Sequence, residues 1–274
     1  MLKKIKDGLS VLFGNMKCRL VMESQEKNHY KYVAFFDLDR TLIDAVSGRI
    51  MAWQAFRKGL LNAREIFQAG YLSFMHKFEL MENERIMIKM AEWLKGISEE
   101  SLIRLGEEVG KKRLIKAVYP QVYPEIKMHR DGKAKLVILS AALSYACLAI
   151  KNHLGFDDAI CSHLEIVDGK FTGLAEGKMC YGKEKLARVE AYCRDNKFNL
   201  KNAYYYADSI ADLSVLDAVG HPVCINPDKW LYKVARHKSW IIRYWKKMTL
   251  QKILDFFYEI KHSMKRIISD VMIK

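Results

Sequence analysis

The stretch KYVAFFDLDRTLI, residues 31–43, decides the predicted fold, because an apolar run ends abruptly in two aspartates. Five uninterrupted apolar positions are typical of a strand buried on both faces of a parallel sheet. Asp37 and Asp39 follow directly, separated by one leucine. Ligands bind beyond the carboxyl ends of the strands in open parallel sheets, so this pattern places two carboxylates where a site would form.

Two later apolar runs end in the same way. KLVILS ends at Ser140, and AYYYADS leads to Asp208. Helical patterns such as residues 184–198 alternate with these runs, which predicts an α/β fold with a doubly wound parallel sheet. The three polar endings would then meet at one edge of that sheet.

Residues 45–130 have long helical periodicity without a strand, which predicts an all-helical cap domain inserted after the first strand. The catalytic core would then comprise residues 31–44 and 131–240. Inside the cap, Ser98 is a suitable helix N-cap before two glutamates. In the core, apolar residues alternate on both sides of Asp168 and Gly169, which predicts a two-residue hairpin.

The chain of 274 residues has a formal net charge of +14, and most of this excess lies at its two ends. Residues 1–31 carry a net +4 and residues 229–274 a net +9, whereas residues 32–228 are nearly neutral. A neutral core argues against nucleic acid as a partner. The six cysteines are scattered without a C-x-x-C pair, which favours reduced thiols in a cytoplasmic protein.

Both ends read as basic amphipathic segments, comprising residues 1–30 and a predicted helix over residues 241–274. The N-terminal segment lacks the roughly 20 apolar residues of a membrane span and the cleavage site of a secretory signal. Two interpretations of the C-terminal helix remain open. Its apolar stripe packs on the domain or on a second subunit, or it lies peripherally on the inner face of a membrane, near anionic headgroups. The oligomeric state is not predicted.

The aspartate pair suggests a division of chemical labour. Asp37 could attack a substrate while Asp39 transfers protons, and carboxylates this close need a compensating cation, for which Mg²⁺ is suited. Asp208 would complete such a metal site. The competing interpretation is that these are ordinary turn or helix-capping aspartates.

Four motifs together resemble those of the haloacid dehalogenase-like hydrolases. They are D-x-D-x-T at residues 37–41, Ser140 after VIL, Lys185 on a helix, and D-S-x-x-D at residues 208–212. The stretches FFDLDRTLI, ILSAA and CYGKEKL look like subfamily IB, the phosphoserine-phosphatase-like group with a Rossmann-like core and a helical cap. The resemblance covers most of the chain between Tyr32 and Trp240.

This resemblance implies a role for each matching residue. Asp37 would be the nucleophile that takes the phosphoryl group, and Asp39 the general acid and base. The implied phosphate-binding residues are Asp37, Thr41, Ser140, Ala141 and Lys185, and the implied metal-binding residues are Asp37, Asp39, Asp208 and Asp212. Asp39 would bind through its main-chain carbonyl, and Asp212 would hold either metal-bound water or the lysine. Lys183 is a rival to Lys185, with Lys178 more distant.

The implied function is a Mg²⁺-dependent phosphatase acting through an aspartyl-phosphate, with a small phosphorylated molecule as substrate. Because both Asp37 and Asp39 are present, phosphoester hydrolysis is favoured over dehalogenation. Ala211 replaces a common asparagine, which is expected to lower activity. The cations available to a substrate in the cap are Arg49, Arg57, Lys58, Arg64 and His76, each of which is otherwise an ordinary surface residue.

Two alternative functions remain open. The stretch CYGKEKL also resembles a bacterial phosphatidylglycerophosphate phosphatase, and a lipid phosphate substrate would account for basic amphipathic ends. A catalytically weak scaffold that docks on membranes or partner proteins is the other alternative.

Overall fold

The computed structural model describes residues 30–77 and 83–246, and only the backbone of residues 73–77 and 83–87. Its strands are β1 (Tyr32–Phe36), β2 (Ala134–Leu143), β3 (Asp158–Ser162), β4 (Leu164–Val167), β5 (Lys170–Ala175), β6 (Tyr204–Ala207), β7 (His221–Ile225) and β8 (Ile241–Arg243). Six of them form one parallel sheet in the order β3-β2-β1-β6-β7-β8. The predicted α/β fold with a parallel sheet is therefore confirmed.

The strand order reverses between β1 and β6. The chain moves outward from β1 through β2 to β3, then returns to place β6 on the other side of β1. Phe36 accordingly pairs with Ile138 on one side and with Tyr206 on the other. A reversal of this kind leaves a crevice at the carboxyl ends of the two central strands, where ligands bind in open α/β sheets.

Helices cover both faces of the sheet. The α-helices of the described residues are α1 (Ser47–Arg57), α2 (Ala63–Lys77), α3 (Asn83–Glu92), α4 (Glu99–Val109), α5 (Val122–Asp131), α6 (Ser144–Leu154), α7 (Lys183–Asp195), α8 (Leu213–Ala218) and α9 (Lys229–His237). Apolar side chains of α5 and α6 pack on one face, and those of α7, α8 and α9 pack on the other. This arrangement confirms the doubly wound architecture.

The chain between β1 and β2 is helical in its described part, as the periodicity predicted. Helix α5 packs against β2 and so belongs to the layer beside the sheet. Helix α4 lies close to α6, and a Cβ atom added at Gly106 of α4 would be 2.9 Å from the Cβ atom of Tyr145 in α6. The division of the chain into core and cap at residues 44 and 130 stays a prediction.

Two local predictions are confirmed. Asp168 and Gly169 connect β4 to β5 with φ angles of 49° and 71°, as a two-residue hairpin turn requires. Ser98 caps α4, since its Oγ accepts a hydrogen bond from the Ser101 amide at 3.3 Å. The hairpin also joins the helical region, because the Gly96 amide donates to the Phe171 carbonyl of β5 at 2.8 Å.

The predicted helix over residues 241–274 is wrong at its start. Residues 241–243 form β8, which pairs in parallel with β7 through Ile241 and Val223. Two adjacent isoleucines favour an extended backbone, and the edge of β7 offers them hydrogen-bond partners. Residues 1–29 and 247–274, which hold the rest of both predicted terminal segments, lie outside the described residues. None of the described helices is long and apolar enough to cross a bilayer.

A buried polar network connects α5 to the sheet. His129 is fully buried, with its Nδ1 atom 3.0 Å from the Tyr32 hydroxyl and its Nε2 atom 2.8 Å from the Tyr206 hydroxyl. Tyr206 donates to Glu125 at 2.6 Å, and Arg243 of β8 pairs with the other oxygen of that carboxylate. Burial lowers the pKa of His129 to about 4, although Glu125 acts in the opposite direction.

We expect His129 to make stability depend on pH. An unfolded chain takes up the His129 proton near pH 6.5, whereas the folded protein resists it until about pH 4. The free energy of unfolding should therefore fall by about 3 kcal/mol from this residue as the pH drops through that window. Urea denaturation at pH 7 and pH 4.5 should show a smaller loss for His129→Gln. His163→Gln, at an exposed position, should match the wild type; equal losses in all three proteins would contradict this assignment.

Candidate active site

Asp37 and Asp39 lie where β1 ends, at the crevice between β1 and β6. The Asp37 amide donates to the Tyr206 carbonyl at 2.9 Å, and the Asp37 carboxyl is largely buried. The Asp39 Oδ1 atom accepts a hydrogen bond of 2.9 Å from the Ser47 amide, the first residue of α1. The helix N-terminus is the positive end of the helix dipole, so α1 both holds and stabilises the Asp39 carboxylate.

Lys185 connects two of the predicted carboxylates. It lies in the first turn of α7, and its buried Nζ atom donates to Asp37 Oδ1 at 2.8 Å and to Asp212 Oδ1 at 2.7 Å. The hydroxyl of Tyr205 is 3.1 Å from the same nitrogen. All three ammonium hydrogens therefore have partners. Lys183 and Lys178 are exposed, so the structure brings Lys185, rather than either rival, to the site.

Asp208 and Asp212 reach the site from the loop after β6. Asp212 ends a short 3₁₀ helix, Ile210–Asp212, that turns its carboxylate back toward Lys185. Asp228 holds this loop in place through two hydrogen bonds. Its amide donates to the Asp208 carbonyl at 2.8 Å, and its carboxylate accepts from the Ile210 amide at 2.7 Å while also capping α9.

The structure brings Ser140 and Ala141 to the same place but not Thr41. Ser140 is buried beside the cavity described below, and its Oγ atom accepts a hydrogen bond of 3.2 Å from the Ala142 amide. Thr41 is fully buried and does not line the cavity, and its hydroxyl has no partner among the described residues. Thr41 follows the first turn of the loop and faces the protein interior. Its predicted role in phosphate binding stays a prediction.

A cavity of about 360 Å³ lies over these residues, between the strand ends and helices α1, α3 and α4. Its polar floor is formed by Asp37, Asp39, Ser140, Lys185, Asp208 and Asp212. Of the cap cations considered in the sequence, Arg49 lines the cavity from an exposed position. Arg57, Lys58 and Arg64 do not line it, and Lys58 pairs with Glu108 instead. The His76 side chain lies outside the described residues.

The charges of the floor do not balance. Four carboxyl groups share it with one buried ammonium group. Burial raises the pKa of Asp37 to about 7 despite the nearby Lys185, and burial together with Asp37 and Asp212 raises the pKa of Asp208 well above its ordinary value. Burial lowers the pKa of Lys185, but Asp212 and Asp37 raise it more, so its pKa is well above its usual range and the ammonium stays charged. A further positive charge at the floor would therefore stabilise the ionised carboxylates.

The residues present fit a magnesium ion. Among the described residues, no three His, Cys, Asp or Glu side chains could hold a metal by themselves. Magnesium, however, is usually bound by one or two carboxylates and keeps several waters. Asp37 and Asp208 supply two carboxylates, and the main-chain carbonyl of Asp39 lies in the same loop. The Asp212 carboxylate accepts a hydrogen bond from Lys185, which agrees with the predicted alternative that Asp212 holds the lysine in place. The role of Asp212 as a metal ligand stays a prediction.

Three site residues were not predicted from the sequence. Tyr205 contacts Lys185, Asp228 holds the loop after β6, and Ser47 lines the cavity with a buried hydroxyl that has no described partner. Strand alternation could have revealed Tyr205, because it must face away from Tyr206 and toward α7. Ser47 carries no comparable sequence signal.

Known proteins are similar to this chain in sequence. The family model described as haloacid dehalogenase-like hydrolase matches residues 34–217, more than half of the chain. A phosphoserine phosphatase of Mycobacterium tuberculosis is 31% identical over 216 residues, covering 77% of this chain and 70% of that protein.

Two solved structures have the same fold. A protein of unknown function from Bordetella pertussis Tohama I has a TM-score of 0.71 and 23% identity, covering 78% of this chain and 98% of that one. A phosphoserine phosphatase solved as an analogue of its phospho-aspartyl intermediate has a TM-score of 0.60 and 21% identity, covering 83% of this chain and 99% of that one.

Proposed function

The chain belongs to the haloacid dehalogenase-like hydrolases and is a phosphatase of that family, and from this premise we propose that it hydrolyses small phosphomonoesters through a phosphoryl group carried on Asp37. The observation that carries the proposal is the position of the Asp37 carboxyl. It lies at the switch point of the sheet, borders the cavity and is held by Lys185 at 2.8 Å.

In the first step, one oxygen of Asp37 attacks the phosphorus atom, and the bond from phosphorus to the ester oxygen breaks. Asp39 donates its proton to the departing oxygen, which leaves as an alcohol. Burial raises the pKa of Asp39, and the Ser47 amide only partly opposes this effect, so the surroundings favour the protonated form that this step uses. An acid whose pKa approaches the working pH is suited to this transfer.

In the second step, water attacks the phosphorus atom of the aspartyl-phosphate. Asp39, now ionised, accepts a proton from that water, and the bond from phosphorus to Asp37 breaks. Phosphate leaves, and both aspartates return to their starting forms. One difficult hydrolysis is thus divided into two easier displacements.

Lys185, Ser140 and the Ala141 amide would bind the phosphoryl oxygens. Lys185 is pre-positioned by Asp212 and Tyr205, so it need not reorganise as charge develops in the transition state. Bound at Asp37, Asp208 and the Asp39 carbonyl, Mg²⁺ would supply positive charge that offsets the repulsion between the carboxylates and the phosphate.

The relative named phosphoserine phosphatase supports a small phosphorylated molecule as the substrate class. The lipid phosphate alternative gains no support from the described residues, since the basic ends on which it depends are mostly outside them. The intact set of charged groups at the site argues against a catalytically weak scaffold. The cytoplasmic location also stays a prediction. The five cysteines described, all free and buried, agree with reduced thiols.

A generic aryl phosphate assay tests this function. The purified protein should release phosphate from 4-nitrophenyl phosphate in the presence of MgCl₂ and lose that activity in excess chelator. Full activity in chelator would contradict the metal requirement. No hydrolysis of any phosphomonoester with Mg²⁺ would contradict the proposed function itself.

We expect Asp208→Asn to remove the response to magnesium. In chelator the variant should melt at or above the wild-type temperature, because it lacks a buried carboxylate that its neighbours repel. Adding MgCl₂ at about 100 times its Kd should stabilise the wild type by about 3 kcal/mol, or several degrees in Tm, and leave the variant unchanged.

The matched control for this measurement is Asp195→Asn, at an exposed position near the end of α7. It should respond to MgCl₂ as the wild type does. An equal rise in Tm for Asp208→Asn and the wild type would show that magnesium binds elsewhere.

A further inference from the structure

We infer that the leaving group of the substrate is apolar and uncharged, an alkyl or aryl group rather than an amino acid. This inference rests on the proposed function, because it concerns the part of the cavity that faces away from the reacting carboxylates. It follows from the chemistry of the cavity wall, from the burial of that wall and from the placement of its few charges.

The cavity has two chemically distinct ends. The charged groups form the floor at the strand ends, whereas the opposite wall is built mainly from apolar side chains of α1, α3, α4, the β4–β5 hairpin and the segment between that hairpin and α7. Ala55, Ala91, Leu102, Leu105, Leu164 and Met179 all line this wall and are all buried. Contact with such a wall removes apolar surface of a ligand from water, which is favourable in proportion to the area covered.

Buried charged partners for a polar leaving group are missing from the wall as far as the structure describes it. Among the described side chains of helices α1–α4, Ser47 is the one that is both polar and buried. It lies beside Asp39, at the floor of the cavity. Two arginines line the cavity, Arg49 on α1 and Arg40 in the loop after β1, and both are exposed to solvent. A carboxylate and an ammonium group placed against the wall would therefore lose water without gaining partners, which is strongly unfavourable.

A series of n-alkyl phosphates provides the test, with methyl, propyl and butyl phosphate compared with O-phospho-L-serine in MgCl₂. The leaving oxygens of the alkyl series are chemically similar, and these short esters are soluble, so membrane partition does not contribute. We expect kcat/KM to rise by up to about fourfold for each added methylene group. Butyl phosphate should exceed O-phospho-L-serine by at least about tenfold.

A variant that partly fills the cavity tests whether the preference for longer alkyl groups arises from their binding in the cavity. Ala52 lines the wall from α1, and Ala52→Leu should lower the ratio of kcat/KM for butyl phosphate to that for methyl phosphate by about tenfold. Ala63→Leu makes the same change at an exposed position on α2 that does not line the cavity. Its ratio should equal that of the wild type.

The outcomes are distinct. A flat alkyl series, a preference for O-phospho-L-serine, or equal ratios for the two leucine variants would each overturn the inference while leaving the phosphatase activity established. Failure to hydrolyse every ester in the set, together with 4-nitrophenyl phosphate, would instead overturn the proposed function on which the inference rests.

Discussion

Asp37→Asn is expected to abolish phosphatase turnover, lowering kcat for 4-nitrophenyl phosphate by at least about 10³-fold. The substitution keeps the volume of the side chain but removes the oxygen nucleophile that would form the covalent intermediate. Steady-state kinetics in saturating MgCl₂ measures the effect. A variant that keeps most of its activity would show that Asp37 is not the nucleophile.

The fold should survive this substitution. Asp37 is a buried carboxyl group whose pKa burial has raised to about 7, so a neutral amide relieves rather than creates a desolvation cost. Lys185 keeps its contacts with Asp212 and Tyr205. The Tm in chelator should therefore be unchanged or higher. Asp168→Asn, at the exposed hairpin turn, is the matched control and should leave both turnover and Tm unchanged.

The second large effect is expected for Lys185→Met, which removes a charge but keeps most of the length of the side chain. Without the ammonium group, the described lining holds no other buried cation to balance Asp37 and Asp212, since Arg40 and Arg49 are exposed. We expect kcat to fall by about 10²- to 10³-fold, as when one preorganised donor to a reacting oxyanion is removed. The free energy of unfolding should fall by about 3 kcal/mol or more at pH 8.

The stability defect of Lys185→Met should depend on pH in a defined direction. The variant leaves the buried carboxylates of Asp37 and Asp212 without their counter-charge, and a protonated carboxyl group needs none. The free-energy difference from the wild type should therefore shrink as the pH falls from 8 to 5.5. Combining Asp37→Asn with Lys185→Met should destabilise the protein less than the sum of the single changes, since the two side chains are in contact.

Lys183→Met is the control, because Lys183 lies two residues earlier on the same helix and is exposed. It should match the wild type in turnover and stability. If Lys183→Met lost activity while Lys185→Met kept it, the assignment of the motif lysine would be reversed.

Much of the fold could be predicted from local pattern. The buried runs that became β1, β2 and β6 were recognised because strands in the middle of a parallel sheet are apolar on both faces. Strand β8 was missed because it is three residues long and next to a strongly basic segment, so helical periodicity was extended across it. Its pairing with β7 is a long-range contact that no local pattern encodes.

Site residues that come directly after an apolar run could be predicted from the sequence. Residues whose role depends on the direction of the side chain could not. Asp37, Ser140 and Asp208 each follow an apolar run, so topology alone brings them together. Thr41 belongs to the same motif but faces the interior, because the loop turns between it and Asp39. Tyr205 lies in a run of three tyrosines, where strand alternation separates it from Tyr204 and Tyr206, but its contact with Lys185 is a long-range contact that appears only in the folded protein.

A phosphoryl group carried on Asp37 can be trapped on the protein and located by its mass. The wild-type protein is mixed with substrate and MgCl₂, quenched in acid within the first turnovers, digested, and analysed by mass spectrometry. We expect a phosphoryl group on the peptide that contains Asp37, absent from Asp37→Asn and from samples in chelator. Steady turnover with no phosphorylated peptide, or with the phosphoryl group on another residue, would show that Asp37 does not carry it.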